Sequence, residues 1–192
     1  EDHKVTGDVV EEETLPPARV QKLAREVVVN ANLFDAHLDR FVTSEGHRLA
    51  QFGLEVAKQK GDDEFDERIF KALTVASTSE FIGGYLSGVR ARDPGNWEKL
   101  MLKLLGLTDL RTVAVNAVFR SGVSESIVHE LHTLYRKGEV TGRVFSRLGF
   151  SARQSAVPEA LVEDVIKALL ERDDEEALNI CIELVEEYFC RD

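Results

Sequence analysis

The fold of this chain is indicated by residues 77–107, STSEFIGGYLSGVRARDPGNWEKLMLKLLGL. This stretch has the pattern of two amphipathic helices that meet at an aspartate and a proline. Thr78 or Ser79 is suited to begin the first helix, which carries apolar side chains at helical spacing. Asp93 offers a capping carboxylate, and Pro94 is suited to the first turn of the second helix. The stretch therefore predicts a pair of adjacent helices.

The same kind of helix start recurs along the chain at a nearly constant interval. Asp63, Asp93 and Ser124 are separated by 30 and 31 residues, and a weaker signal at Ser155 follows after another 31. A helical unit of this length cannot bury its apolar face alone, so it stacks on its neighbours. No segment shows sustained period-two alternation between hairpin turns. We therefore predict an all-α fold, an α-solenoid of stacked antiparallel helix pairs with a repeat of about 31 residues.

Acidic residues are concentrated at the two ends of the sequence. Residues 1–14 hold six acidic residues and one lysine, and residues 159–192 hold twelve acidic and three basic residues, within a net charge of −11. The first stretch predicts an acidic flexible tail, and residues 15–192 predict a single helical-repeat domain. Because the chain begins with Glu1 rather than Met, we expect it to be a fragment of a longer protein.

No motif with catalytic chemistry stands out, and we expect no catalytic residue and no cofactor in this fragment. Gly83, Gly84 and Gly88 do not follow a strand and do not end in Gly-Lys-Ser/Thr, which argues against a phosphate-binding loop. The four-residue spacing of the last two instead predicts that another helix packs closely against this face.

A set of polar residues on one helix face invites a metal-site interpretation. Glu125, His129 and His132 offer carboxylate and imidazole ligands, but no fourth ligand is evident and Arg136 adds a positive charge nearby. A solvated helix face with an i, i+4 pair accounts for the same pattern. We therefore expect no metal site.

A basic stretch is the clearest candidate for a partner surface. Seven basic residues lie between positions 111 and 153 against three glutamates. Several of them are at predicted helix ends, where the helix dipole favours a cation without any ligand. The alternative is a groove for an acidic partner, which could be a protein tail, a phosphate or a nucleic acid. With neighbouring residues upstream, the candidates are Arg90, Arg92, Trp97, Arg120, Arg136, Arg143 and Arg147.

The last predicted helix, residues 174–189, carries an apolar arc that is wider than one neighbouring helix can cover. Such an arc commonly marks a contact surface, and Leu184 and Tyr188 are its candidate partner-binding residues. The arc is expected to meet a second copy of the chain, a missing repeat, or another segment such as the helix near residues 18–30. A homo-oligomer through the C-terminal helix is therefore one expectation.

Three short strings give the chain a family resemblance: Gly-Tyr-Leu at 84–86, Asp-Pro-Gly-Asn-Trp-Glu-Lys-Leu at 93–100 and Phe-Arg-Ser-Gly at 119–122. They resemble HEAT-like helical repeats, in particular those of large multidomain bacterial signalling NTPases whose repeats sense a ligand. The resemblance covers residues 64–172. It implies a recognition or scaffolding arm of a bacterial protein, with any enzymatic chemistry elsewhere in the parent chain.

These observations favour a non-catalytic scaffold or recognition module that mediates protein contacts in a larger cytoplasmic protein. Its expected partner is another protein or the remainder of the parent chain. The absence of a run of about 18 apolar residues argues against a membrane span. The alternative is a HEAT-like nucleic-acid-binding or base-processing domain that uses the basic stretch of residues 90–153 and Trp97, although the overall negative charge disfavours it.

Overall fold

The computed structural model describes residues 17–59, 63–172 and 175–190, and within these ranges the chain is helical and contains no strand. The predicted all-α fold is confirmed. The predicted acidic tail, residues 1–14, lies outside the described residues. The helices are α1 (Pro17–Val29), α2 (Ala31–Thr43), α3 (His47–Gln59), α4 (Asp63–Ala72), α5 (Ser79–Arg92), α6 (Pro94–Gly106), α7 (Arg111–Ser121), α8 (Glu125–Arg136), α9 (Arg143–Ser146), α10 (Leu148–Gln154), α11 (Glu159–Leu170) and α12 (Glu175–Val185). A short 3₁₀ turn, Thr108–Leu110, precedes α7, and a π-helical turn, Glu186–Cys190, follows α12.

Helix starts predicted from the sequence are largely observed. The carboxylate of Asp93 accepts a hydrogen bond from the backbone N–H of Asn96 at 3.0 Å, with Pro94 in the first turn of α6. The hydroxyl of Ser124 likewise accepts from the backbone N–H of Ile127 and begins α8. Gly138, at φ +75°, ends α8 in the left-handed conformation that glycine tolerates best.

One predicted start is observed without a side-chain cap, and another is not observed. Helix α5 begins at Ser79 as predicted, but the hydroxyl of Thr78 donates to the carbonyl of Ser44 at 2.7 Å and does not cap the helix. Ser155 does not begin a helix. It follows α10, and α11 begins only after Pro158, whose fixed φ suits the entry into a helix. Both hydroxyls contact distant parts of the chain, which local sequence cannot reveal.

Helix starts recur at an interval close to the predicted one. α3, α5, α7, α9 and α12 begin at intervals of 32 residues. The helices contact one another as two rows. In the first row α1 packs on α3, α3 on α5 and α5 on α7. Beyond α7, helices α9, α10 and α12 pack on one another, and a cleft lies between α7 and α9. In the second row α2 packs on α4, α6 on α8 and α8 on α11. One continuous apolar core lies between the rows.

Glycines allow the closest contact within the first row, as their spacing predicts. An added Cβ on Gly84 of α5 would lie 1.8 Å from the carbonyl oxygen of Ala50 in α3, and one on Gly88 would lie 2.6 Å from the Cβ of Ala57. Gly53 provides the matching gap on α3, where an added Cβ would lie 2.3 Å from the carbonyl oxygen of Phe81. The prediction of close helix packing at Gly84 and Gly88 is confirmed.

A candidate protein-binding groove

Three clefts follow one another along the exposed surface of the first row. The first lies over α3, α5 and α7, the second between α7 and α9, and the third between α9 and α12. Arg143 and Ser146 line both the second and the third cleft, so these two are continuous. We call the three together the groove. Because successive helices of one row each contribute one side of a cleft, the groove is a direct product of the 32-residue interval.

The middle cleft has a volume of about 440 Å³, similar to the volumes of the other two clefts. Val115 and Phe119 of α7 and Val140 contribute apolar surface to it. Its charged lining consists of Arg111, Glu139, Arg143 and Arg147, with Thr112, Asn116, Thr141 and Ser146 as neutral polar residues. Apolar surface beside a few cations and hydrogen-bonding groups is typical of a recognition site.

Of the three arginines that line the middle cleft, two are neutralised by glutamates from other helices or loops. Arg111 donates to Glu139, and Arg143 donates to Glu176 of α12, which raises the pKa of the Arg143 guanidinium. Arg147 is different, because its guanidinium lies 5.5 Å from the ring centroid of Phe119. Within the described part of the chain no carboxylate pairs with it. A cation that rests on an aromatic ring while exposed to solvent keeps its donors available for a ligand.

The charge of the groove changes along its length. The middle cleft carries three arginines against Glu139, whereas the third cleft carries Glu175, Glu176 and Glu183 against Arg143 alone. A ligand that lies along both clefts would therefore meet a basic part followed by an acidic part.

Several predicted partner-binding residues instead hold the fold together. Arg90 stacks on buried Trp97 at 4.6 Å and donates to the carbonyl of Ser121 at 2.9 Å. Arg92 donates to the carbonyl of Ala57 in α3. Arg90 is half-buried by its contacts and Trp97 is buried, whereas Arg92 remains exposed.

The remaining arginines of the basic stretch are divided between ion pairs and the groove. Arg120 pairs with Glu80 and lines the first cleft, while Arg136 pairs with Glu171 at an exposed site outside the groove. Arg143 and Arg147 both line the middle cleft. Of the predicted candidates, the structure therefore brings only Arg120, Arg143 and Arg147 to the groove.

The predicted contact residues of the last helix lie largely inside the chain. Leu184 is buried in the core, and the hydroxyl of half-buried Tyr188 donates to the carbonyl of Val157. The exposed apolar side chains of this helix are a different set: Leu178, Ile182, Val185 and Phe189. The sequence shows the width of the arc but not which side of it the preceding helices cover.

Sequence reasoning missed the neutral part of the groove. Val115 and Phe119 lie on α7 away from its fully buried face, beside exposed Thr112 and Asn116. The available signal was that apolar residues occupy both sides of α7, which exceeds what one buried face requires. A half-buried valine and phenylalanine beside an asparagine are typical of a contact surface.

The polar face of α8 carries Glu125, His129 and His132, the residues that invited a metal-site interpretation. Throughout the described ranges, no group of three or more histidine, cysteine, aspartate or glutamate side chains is arranged to hold an ion. Burial lowers the pKa of His132, and the charge of Arg136 lowers it further, so the neutral imidazole is favoured.

Comparison of the chain with protein-family models, characterised proteins and solved structures gives no match. No described helix is both long enough and apolar enough to cross a bilayer.

Proposed function

We propose that this chain is a non-catalytic recognition module, an α-solenoid that binds a segment of a partner protein along the groove. The observation that carries the proposal is the middle cleft, where exposed Arg147 and the apolar surface of α7 face the same space. An extended peptide could place an acidic side chain at Arg147 and an apolar one against Val115.

Polar contacts between helices support the solenoid part of the proposal, because they recur about one helix pair apart. Asp35 in α2 pairs with Arg68 in α4, Glu80 in α5 with Arg120 in α7, and Arg143 in α9 with Glu176 in α12. Each pair joins successive members of one row. In a stack of repeats each unit contacts only its neighbours, and contacts of this reach are the expected result.

We extend the proposal to a HEAT-like relationship and to a place within a larger cytoplasmic signalling protein. The helix pairs have the length that such repeats require, and the free thiols of Cys181 and Cys190 suit a reducing compartment.

The charge of the groove favours a protein partner over a nucleic acid. A phosphate backbone carries the same negative charge throughout, so it would gain at Arg147 but be repelled at Glu175, Glu176 and Glu183. A peptide with an acidic and a basic part matches both ends of the groove.

A direct test is fluorescence anisotropy with a labelled peptide that contains a glutamate block followed by a lysine block. We expect Arg147→Glu to weaken binding at least about tenfold, equivalent to about 1.4 kcal/mol, because it replaces the exposed cation by an anion. Lys99→Glu is the matched control, since Lys99 is exposed on α6 in the second row. We expect it to leave binding unchanged.

The nucleic-acid alternative is tested with the same protein. Binding of a labelled single-stranded oligothymidylate, or retention of the protein on heparin, that falls steeply with rising salt would favour nucleic-acid binding. Equal peptide binding by Arg147→Glu and by the unaltered chain would refute the groove as the recognition site.

A further inference from the structure

The terminal helix of the first row exposes an apolar stripe that lies outside the groove and that the proposed function does not use. A neighbouring face of the same helix, with Ala177, Cys181 and Leu184, packs into the core. The stripe consists of four side chains spaced four, three and four residues apart, with these exposed fractions: Leu178 51%, Ile182 49%, Val185 37% and Phe189 39%. This spacing forms a continuous ridge along one side of a helix.

Acidic side chains flank the stripe. Glu175 and Glu186 are exposed, and on a helix they lie next to the apolar ridge. Neither has a cationic partner among the described side chains. A protein surface that fits this ridge therefore needs apolar residues edged by positive charge.

The first helix of the chain has that composition. α1 buries Val20, Ala24 and Val27, and exposes Leu23 and Val29. Its solvent side carries three cations and one anion: Arg19, Lys22, Arg25 and Glu26. The one described ion pair there, between Lys22 and Glu26 at 3.8 Å, is exposed to solvent and therefore weak. The exposed surface of α1 therefore combines two separate apolar side chains, about 120° apart around the helix, with a net positive charge that complements the acidic flanks of the stripe on α12.

We propose that α12 of one copy docks on α1 of a second copy, so that the chain associates head to tail. The two helices are the terminal described members of the same row, and α1 uses its buried face to pack on α3. Docking would place α12 of one copy beside α1 of the next. This is the same side-by-side arrangement that α3, α5 and α7 have within one chain. The contact is heterologous, so each copy keeps one free end and association does not stop at a dimer unless a ring closes.

The electrostatic part of the contact gives the first test. Sedimentation velocity of the full chain should show an average mass that rises with concentration, and rises less at high salt because exposed charges are screened. Two charge-reversed variants are needed. One carries Lys22→Glu with Arg25→Glu in α1, and the other carries Glu175→Lys with Glu186→Lys in α12. Each variant alone should be monomeric, because it would place like charges in contact.

Mixing the two charge-reversed variants should restore association, since acidic α1 then meets basic α12 and the converse pair also matches. The apolar part is tested with Ile182→Asp, which should abolish association, against Leu107→Asp, an exposed leucine after α6 that should not affect it. Far-UV circular dichroism checks that every variant remains helical.

Three results would overturn the proposal. A monomeric unaltered chain at all concentrations would exclude self-association, and association that survives Ile182→Asp would place the contact elsewhere. Association of the α1-reversed variant on its own would show an α12-to-α12 contact instead. None of these results depends on peptide binding in the groove, which Arg147→Glu tests separately.

Discussion

Of the glycines between α3 and α5, Gly84 makes the closest approach to the opposing backbone. With no Cβ at position 84, α5 rests directly on the backbone of α3, where an added Cβ would lie 1.8 Å from the carbonyl oxygen of Ala50. The sequence predicted this contact because Gly84 and Gly88 share one helix face. It did not identify the opposing surface of α3, since Ala50 and Gly53 are ordinary small residues until the partner helix is known.

We expect Gly84→Ala to destabilise the chain by at least about 1–3 kcal/mol, the usual cost of overpacking, because the methyl group meets backbone rather than a flexible side chain. Gly106→Ala is the control, since an added Cβ at the end of α6 meets nothing within 4 Å. That variant should gain up to about 1 kcal/mol from the lower entropy of the unfolded chain. Urea unfolding followed by circular dichroism measures both, and an unchanged midpoint for Gly84→Ala would contradict the close contact.

At the scale of helices, Arg90 joins elements that lie far apart in the sequence. Its guanidinium stacks on Trp97 in α6 and donates to the carbonyls of Ser121 and Val123 and to the hydroxyl of Ser155. These partners lie at the end of α7 and just after α7 and α10, 31 to 65 residues away. Local sequence showed a cation near a helix end, which fits either a ligand site or a structural site. Only the position of the distant carbonyls decides between them.

Arg90→Lys should therefore destabilise the fold by about 1–3 kcal/mol without affecting peptide binding in the groove. Lysine keeps the charge but loses the planar set of donors that reaches several acceptors at once. Arg40→Lys, at an exposed site on α2, is the matched control and should be nearly neutral. Chemical denaturation measures the stability of each variant, and the peptide titration measures its affinity. Reduced peptide affinity of Arg90→Lys with unchanged stability would show that Arg90 contacts the partner after all.

For the whole molecule, the interval of helix starts was predictable and the distribution of charge was not. Caps such as Asp93 and Ser124 act within three residues, so their spacing is visible in the sequence. Ion pairs such as Glu80 with Arg120 span 40 residues, and each removes a cation from the candidate surface. The sequence therefore predicted a basic stretch. In the structure, Arg147 is the arginine of the middle cleft that has no glutamate partner among the described residues.

A stack of helix pairs should also unfold differently from a closed bundle, because each pair is stabilised only by its neighbours. Leu184 is buried at the C-terminal end of the first row, whereas Trp97, the only tryptophan of the chain, is buried in α6 near the middle. We expect Leu184→Ala to remove about 2–5 kcal/mol of local stability. Part of the circular dichroism signal should then be lost at lower urea than the Trp97 fluorescence transition.

Leu104→Ala provides the control for this last experiment, because Leu104 is fully buried in α6 beside the reporter. It should shift the fluorescence transition itself. If Leu184→Ala instead moves fluorescence and circular dichroism together by the same amount, the chain unfolds as one cooperative unit. The nearest-neighbour stack would then be the wrong description, because in such a stack a cavity at one end cannot weaken the middle before the intervening pairs have separated.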